Sequence, residues 1–203
     1  MIAIIDYGVG NLFSLKCSFD AIGANTVITS DENVIKKADR ILLPGVGAFG
    51  DAAAKLRESK LDKVIVAEAK SGKPLLGICL GMQLLFEKGF EYGEHEGLGL
   101  IKGEICPIAD VIPKELKIPH IGWNALDFGG KQSKLFKYIK NGDCVYFVHS
   151  FYAKTDEKNI IATAEYGASL TAAAECGNVY GCQFHPEKSG EVGLNILKAF
   201  CEV

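Results

Sequence analysis

Three short stretches of this sequence carry residue types that could do covalent chemistry. The first is Gly77-Ile78-Cys79-Leu80-Gly81, at the end of an apolar run. Its spacing is that of a nucleophile elbow with cysteine in place of serine. In such an elbow the nucleophile stands on a sharp strand-to-helix turn, and the residues two away approach the backbone too closely to carry a Cβ. Beyond it, Leu80, Gln83, Leu84 and Glu87 recur at spacings of three and four, which predicts a helix with Cys79 at its N-terminus. Free N–H groups and the helix dipole there favour a thiolate, which matters because an ordinary thiol is only a few per cent ionised at pH 7. The pentapeptide alone leaves a second reading open: a β-α turn whose glycines serve packing and whose thiol is inert.

The second stretch is His185-Pro186-Glu187, after the strand-like run 178–184. In extended chain, positions i and i+2 face the same way, about 6–7 Å apart. Glu187 can span that gap and accept the imidazole Nδ1–H, leaving Nε2 of His185 as a base. A surface H-P-E turn is the alternative. The third stretch, "PGVGAFG" (44–50), offers successive backbone amides with little side-chain bulk. N–H groups at Val46 and Gly47, with that of Leu80, could bind a tetrahedral oxyanion. A phosphate-cradling loop or a tight turn would look similar. The Gly-Lys-Ser/Thr ending of a P-loop is missing, and Gly8-Val9-Gly10-Asn11 does not complete a dinucleotide fingerprint because position 13 is Phe. Of the remaining histidines, His95 lies in a charged turn and reads as solvated. His120 and His149 sit in apolar runs and read as core or cleft histidines.

These groups need a scaffold, and the chain alternates strand and helix through its first half. Strand-like runs at 2–6, 26–30, 40–50 (broken by Pro44 and three glycines) and 75–78 are separated by helical periodicity at 12–22, after Ser30 or Asp31, at 51–57 and at 61–70. Uniformly apolar strands separated by helices predict a parallel sheet covered on both faces. Strand-like runs near 98–108, 143–149, 159–166 and 178–184 follow, and helical periodicity returns at 190–202. The expected fold is a single α/β domain over 1–203. Its doubly wound, mostly parallel, flavodoxin-like sheet has helices on both faces and antiparallel strands added in the C-terminal half. Residues 104–116 read as loop with some strand.

Composition narrows the function. With 48% apolar and 23% charged residues and a net charge of −3, the chain has the make-up of a soluble globular protein. Its dispersed Lys and Arg argue against nucleic acid and anionic membranes as partners. No apolar stretch is long enough to suggest a membrane span, and the N-terminus lacks signal-peptide features, so a cytoplasmic location is expected. The seven cysteines are odd in number and none has C-x-x-C spacing, which fits neither a disulfide framework nor a zinc site.

Taken together, the motifs resemble the class I glutamine amidotransferases. The resemblance runs through "DYGVGNL", "LLPGVGAFG", "GICLGMQLLF", "EGLGLI", "PHIGWN", "YFVHSFY" and "QFHPEKSG", in that order; segments 104–118 and 125–142 carry none of it. It implies hydrolysis of L-glutamine to glutamate and ammonia without metal or cofactor. Cys79 would form a γ-glutamyl thioester, His185 would act as acid and then base, and Glu187 would orient the ring. Gln83, Glu91, His149 and Ser150 would contact the substrate. The resemblance further implies a heterodimer with a cyclase subunit built as a (β/α)8 barrel, which uses the ammonia to make imidazole glycerol phosphate and AICAR in histidine biosynthesis. The glutaminase of such a pair idles until the partner binds its ligand, and the Gly45–Val46 peptide is free to flip and so complete the oxyanion hole. All 203 residues are taken up by the glutaminase fold, leaving no room for an ammonia acceptor site. Trp123 and Lys188 are the implied interface residues, although Trp123 could be core and Lys188 a solvated charge. Three alternatives stay open: a paralogous glutaminase feeding another synthase, a stand-alone γ-glutamyl hydrolase, and a binding module with an inert Cys79.

Overall fold

A computed structural model describes residues 1–203. The first half runs β1 (Ile2–Ile5), α1 (Leu12–Ala21), β2 (Thr26–Thr29), α2 (Glu32–Lys37), β3 (Arg40–Leu43), α3 (Phe49–Glu58), α4 (Leu61–Lys70) and β4 (Leu75–Ile78). Asp31 caps α2 through a bond from Asn33 N–H, which satisfies one of the donors that a helix start leaves free. After the one-turn α5 (Leu80–Gln83) come β5 (Phe86–Gly89), β6 (His95–Glu96), β7 (Ile101–Pro107), β8 (His120–Ala125), β9 (Cys144–His149) and β10 (Phe151–Lys154). The chain closes with β11 (Ile160–Glu165), β12 (Ser169–Cys176), β13 (Val179–Cys182) and α6 (Gly190–Phe200).

The main sheet has seven strands in the order β11-β12-β13-β4-β3-β1-β2. Five of them, β13 through β2, are parallel. In order along the chain these five run 2-1-3-4-5, the flavodoxin-like winding. Residues of β1 and β4 are buried throughout, as strands covered on both faces must be. Alternate residues feed two cores. Ala3, Ile5, Ile41, Leu43 and Leu75 pack against α2, α3 and α4, whereas Ile2, Ile4, Leu42, Leu76 and Ile78 pack against α1 and α6.

Beyond β4 the chain departs from expectation in three ways. The run at 178–184 becomes β13, which pairs with β4 in parallel; only β12 and β11 are antiparallel additions to the sheet. The runs near 98–108 and 143–149 do not join it at all. The former becomes β7 of a separate four-stranded sheet, β10-β7-β5-β6, and the latter becomes β9, paired only with β8. Finally, the helix expected after Cys79 stops after one turn, and the chain becomes strand at Phe86. Leu84, Leu85 and Phe86 are all buried, which a one-sided amphipathic helix does not allow.

Candidate active site

Register brings the three motifs together at the carboxyl ends of β3, β4 and β13. Leu43 pairs with Gly77, and Ile78 pairs with Cys182. The loop after β3, Cys79 and the segment after β13 therefore emerge side by side. Cys79 adopts φ +54°, ψ −114°, a conformation that costs energy for any side-chain-bearing residue. The flanking glycines make that turn possible. A Cβ on Gly77 would lie 2.6 Å from the Gly81 carbonyl oxygen, and one on Gly81 would overlap the Leu43 carbonyl. The packing reading and the chemical reading of these glycines thus coincide: close packing is what holds the sulfur at the strand end. With only one turn in α5, the helix dipole is small. What remains for an anion are the N–H groups of Leu80 and its neighbours, which have no partner within so short a helix.

Cys79, Leu80, Val46, Gly47 and His185 line one cleft of about 290 Å³, together with Gln83, Glu91, His149 and Ser150. That volume suits a small metabolite. Gly45 packs directly on the elbow, since a Cβ there would lie 2.7 Å from Gly81 N. Tyr7, at the end of β1, donates its hydroxyl hydrogen to the Pro44 carbonyl at 2.7 Å and pins the start of the loop. Val46 and Gly47, beyond that anchor, are exposed.

His185 Nδ1 lies 2.8 Å from Glu187 Oε1, and both side chains are buried. The contact is the expected one, but its geometry differs. Strand β13 ends at Cys182, and Pro186–Lys188 form a 3-10 turn that brings Glu187 back under the ring. The second Glu187 oxygen is buried without a partner, so the carboxylate charge is compensated chiefly by the imidazole. Burial disfavours the charged ring, but the Cys79 sulfur and Glu187 outweigh it and push the His185 pKa up to about 9. With Nδ1 engaged by Glu187, Nε2 is left for the cleft. The arrangement favours an imidazolium beside the Cys79 sulfur at neutral pH.

The remaining residues divide by what they touch. Both ring nitrogens of His149 are used within the protein: Nδ1–H donates to the Phe151 carbonyl at 2.8 Å, and Nε2 faces His120 Nδ1 at 3.0 Å. Burial, offset in part by the Phe151 bond, lowers its pKa to about 4, so the ring is neutral. Glu91 accepts the Phe49 N–H at 2.8 Å and so ties the first residue of α3 to the cleft wall. The Gln83 amide donates to Gln183 Oε1 at 2.9 Å and to the Phe151 carbonyl at 3.3 Å, which leaves its oxygen for a ligand. Trp123 is 56% exposed, so it is not core. Its ring meets Tyr146 edge-on at 6.0 Å, and Lys188 Nζ lies 5.8 Å above that same tyrosine. Lys188 follows Glu187 in the same 3-10 turn, so this exposed cluster adjoins the His–Glu pair. Sequence reasoning gave no role to Tyr7, Tyr146 and Gln183, although they lie in "DYGVGNL", "YFVHSFY" and "QFHPEKSG"; their contacts depend on which strands are neighbours, which those stretches do not show. No group of three or more His, Cys, Asp or Glu side chains is placed to hold a metal ion, and no helix is long and apolar enough to cross a membrane.

A flavodoxin-like sheet thus carries a cysteine elbow on one strand end and a His–Glu pair beyond the next, on one cleft. The family model for class-I glutamine amidotransferases matches residues 3–202, and the chain belongs to that family. It is 50% identical over 204 residues to the imidazole glycerol phosphate synthase subunit HisH of Caldanaerobacter subterraneus, covering 100% of this chain and 98% of that protein. It is 48% identical over 204 residues to the HisH subunit of Oceanobacillus iheyensis, covering 100% and 99% respectively. Among solved structures, one of a glutamine amidotransferase superposes with TM-score 0.77 at 16% identity, covering 100% of this chain and 98% of that one.

Proposed function

We propose that this chain is a glutaminase that supplies ammonia to a cyclase partner making imidazole glycerol phosphate and AICAR in histidine biosynthesis. The observation that carries the chemistry is the convergence of Cys79, the His185–Glu187 pair and the loop after β3 on one cleft. Near-50% identity to HisH subunits along the whole chain favours this pathway over a paralogous synthase or a stand-alone γ-glutamyl hydrolase.

In the proposed cycle, the Cys79 thiolate attacks the side-chain carboxamide carbon of glutamine. Backbone N–H groups of Val46 or Gly47 and of Leu80 stabilise the oxyanion. The His185 imidazolium passes its Nε2 proton to the departing nitrogen, ammonia leaves, and a γ-glutamyl thioester remains. Neutral His185 then takes a proton from water as the water oxygen attacks the thioester. That transfer regenerates the imidazolium; collapse then expels the thiolate, and the new γ-carboxyl group loses its remaining proton to solvent as glutamate leaves. Glu187 fixes the ring orientation throughout. Gln83 presents its carbonyl oxygen to a substrate N–H, Ser150 and Glu91 complete the polar lining, and His149 contributes ring edge and backbone.

Free ammonia is mostly ammonium at neutral pH and then no longer nucleophilic, so the product is best delivered through a sealed interface. The partner is a (β/α)8-barrel cyclase forming a heterodimer in the cytoplasm. The Trp123–Tyr146–Lys188 cluster beside the His–Glu turn is its docking surface. An aromatic-rich exposed patch with one cation has the composition of an interface centre. Because the loop is anchored at Pro44 and exposed at Val46 and Gly47, the Gly45–Val46 peptide flips when the partner is loaded and completes the oxyanion hole. The test mixes the chain with a cyclase subunit and follows product formation from glutamine. Cys79→Ala should abolish glutamine-dependent turnover while added ammonium salts still support it. Equal turnover of mutant and parent with glutamine would refute the reading, and a high glutaminase rate insensitive to the partner's ligand would refute the switch.

A further inference from the structure

The catalytic groups named so far leave one buried polar side chain at the sulfur without a role. Gln183 follows β13 directly and is 0% exposed. Parallel pairing of Ile78 with Cys182 puts the next residues, Cys79 and Gln183, side by side. Gln183 Nε2 lies 3.8 Å from Cys79 Sγ, within hydrogen-bonding reach of so large an acceptor.

The direction of this amide is dictated by its neighbours. The Phe151 carbonyl can only accept, so the Gln83 group facing it at 3.3 Å is the NH2. The same NH2 lies 2.9 Å from Gln183, so the Gln183 atom it meets is the oxygen. The Gln183 NH2 is therefore left to face the sulfur. A backbone carbonyl thus sets, through two glutamine side chains, a donor aimed at the nucleophile. A glutamine that served only packing could turn either way; here a reversed amide would set two oxygens or two NH2 groups against each other.

We propose that Gln183 is a catalytic residue of the thiol site, donating its side-chain N–H to the Cys79 sulfur whenever that sulfur carries negative charge, with Gln83 as the positioning residue that orients it. This rests on Cys79 being the nucleophile. An amide N–H favours the thiolate over the thiol, and unlike His185 it does so without titrating. The contribution enters twice: before acylation, when the thiolate forms, and during thioester hydrolysis, when negative charge returns to the departing sulfur. In the thioester itself the sulfur is uncharged and the bond weakens. Gln183 therefore stabilises the start of the first half-reaction and the exit from the second.

The pH dependence of Cys79 alkylation by iodoacetamide, read peptide by peptide by mass spectrometry, measures the thiolate fraction directly. In Gln183→Leu the midpoint should move up by about one pH unit, a roughly tenfold loss of thiolate at fixed lower pH. Gln183→Glu, nearly isosteric and still able to accept from Gln83, should move it at least as far. Rapid-quench turnover with glutamine should show both the formation and the hydrolysis of the acyl-enzyme slowed in both variants relative to the parent. The parent protein gives an independent reading: with glutamine side-chain amides labelled with nitrogen-15, the Gln183 resonance should shift as Cys79 ionises and lose that shift in Cys79→Ala. Unmoved alkylation midpoints in either folded variant, or a Gln183 resonance indifferent to Cys79, would overturn the proposal. If alkylating Cys79 in the parent left glutaminase activity intact, the prior reading of Cys79 as nucleophile would be what failed.

Discussion

Cys79 and Cys182 lie on neighbouring strand ends, and the N–H of one donates to the carbonyl of the other at 2.7 Å. Cys182 is the last residue of β13, wholly buried in the core against α6. Burial, with the Glu187 charge adding, pushes its thiol far above the usual range. Cys79 stands one residue past the end of β4, with positive φ, on the wall of the cleft. Around it are a donor amide, an imidazole held by a carboxylate, and free backbone N–H groups. The same side chain is thus a small apolar filler in one place and, in the proposed cycle, the nucleophile in the other. One step past the strand end, made possible by two glycines, accounts for the difference.

The largest expected contrast comes from the groups that serve Cys79 alone. Glu187→Gln should cost about 10²- to 10⁴-fold in glutaminase kcat, because the amide no longer stabilises the imidazolium and can select the wrong tautomer. Steady-state assays with the cyclase present would measure it. A smaller effect follows from pH. With its pKa raised from 6.5 to about 9, His185 favours the folded state most fully below its ordinary value, and that contribution is lost as pH rises through about 9. The glutaminase rate should fall over the same alkaline range. Replacing Cys79 by alanine should lower the imidazole midpoint seen by NMR, since the thiolate no longer supports the cation; an unchanged midpoint would sever the proposed pair. Gly81→Ala tests the elbow itself. The added methyl meets the Leu43 carbonyl, and forcing it in should cost about 1–3 kcal/mol, read as a lower denaturant midpoint. The smallest effect belongs to Cys182→Ala, about 1 kcal/mol of stability from the lost packing, with turnover within roughly twofold of the parent. A severe loss of activity there would erase the contrast between the two thiols.

What could be read from the sequence was local in origin. The elbow and the H-P-E segment are written in five and three consecutive residues, and glycine and proline at fixed offsets carry their geometry. The parallel half of the sheet was legible because four-residue apolar strands alternate with helices of clear period. Where the reading failed, long-range pairing decided the outcome. The spacing of Leu80, Gln83, Leu84 and Glu87 fits a helix, but two turns are too few to separate helix from a buried strand. The pairing of Phe86 with Ile101 draws the chain into the second sheet. Trp123 looked equally suited to core or surface until the β8–β9 register set it against Tyr146 on the outer face. Gln183 was invisible for the same reason: its contact with Cys79 spans 104 residues and depends on two strands being adjacent and in register.

The central claim is that Cys79 becomes covalently acylated by glutamine. Acid quenching of the cyclase-bound protein within the first turnovers, followed by peptide mass spectrometry, tests it most directly. The account predicts a γ-glutamyl adduct on the peptide containing Cys79, none on the peptide containing Cys182, and slower appearance of the adduct in Gln183→Leu. Glutamine hydrolysis with no adduct on Cys79, or undiminished turnover in Cys79→Ala, would contradict it.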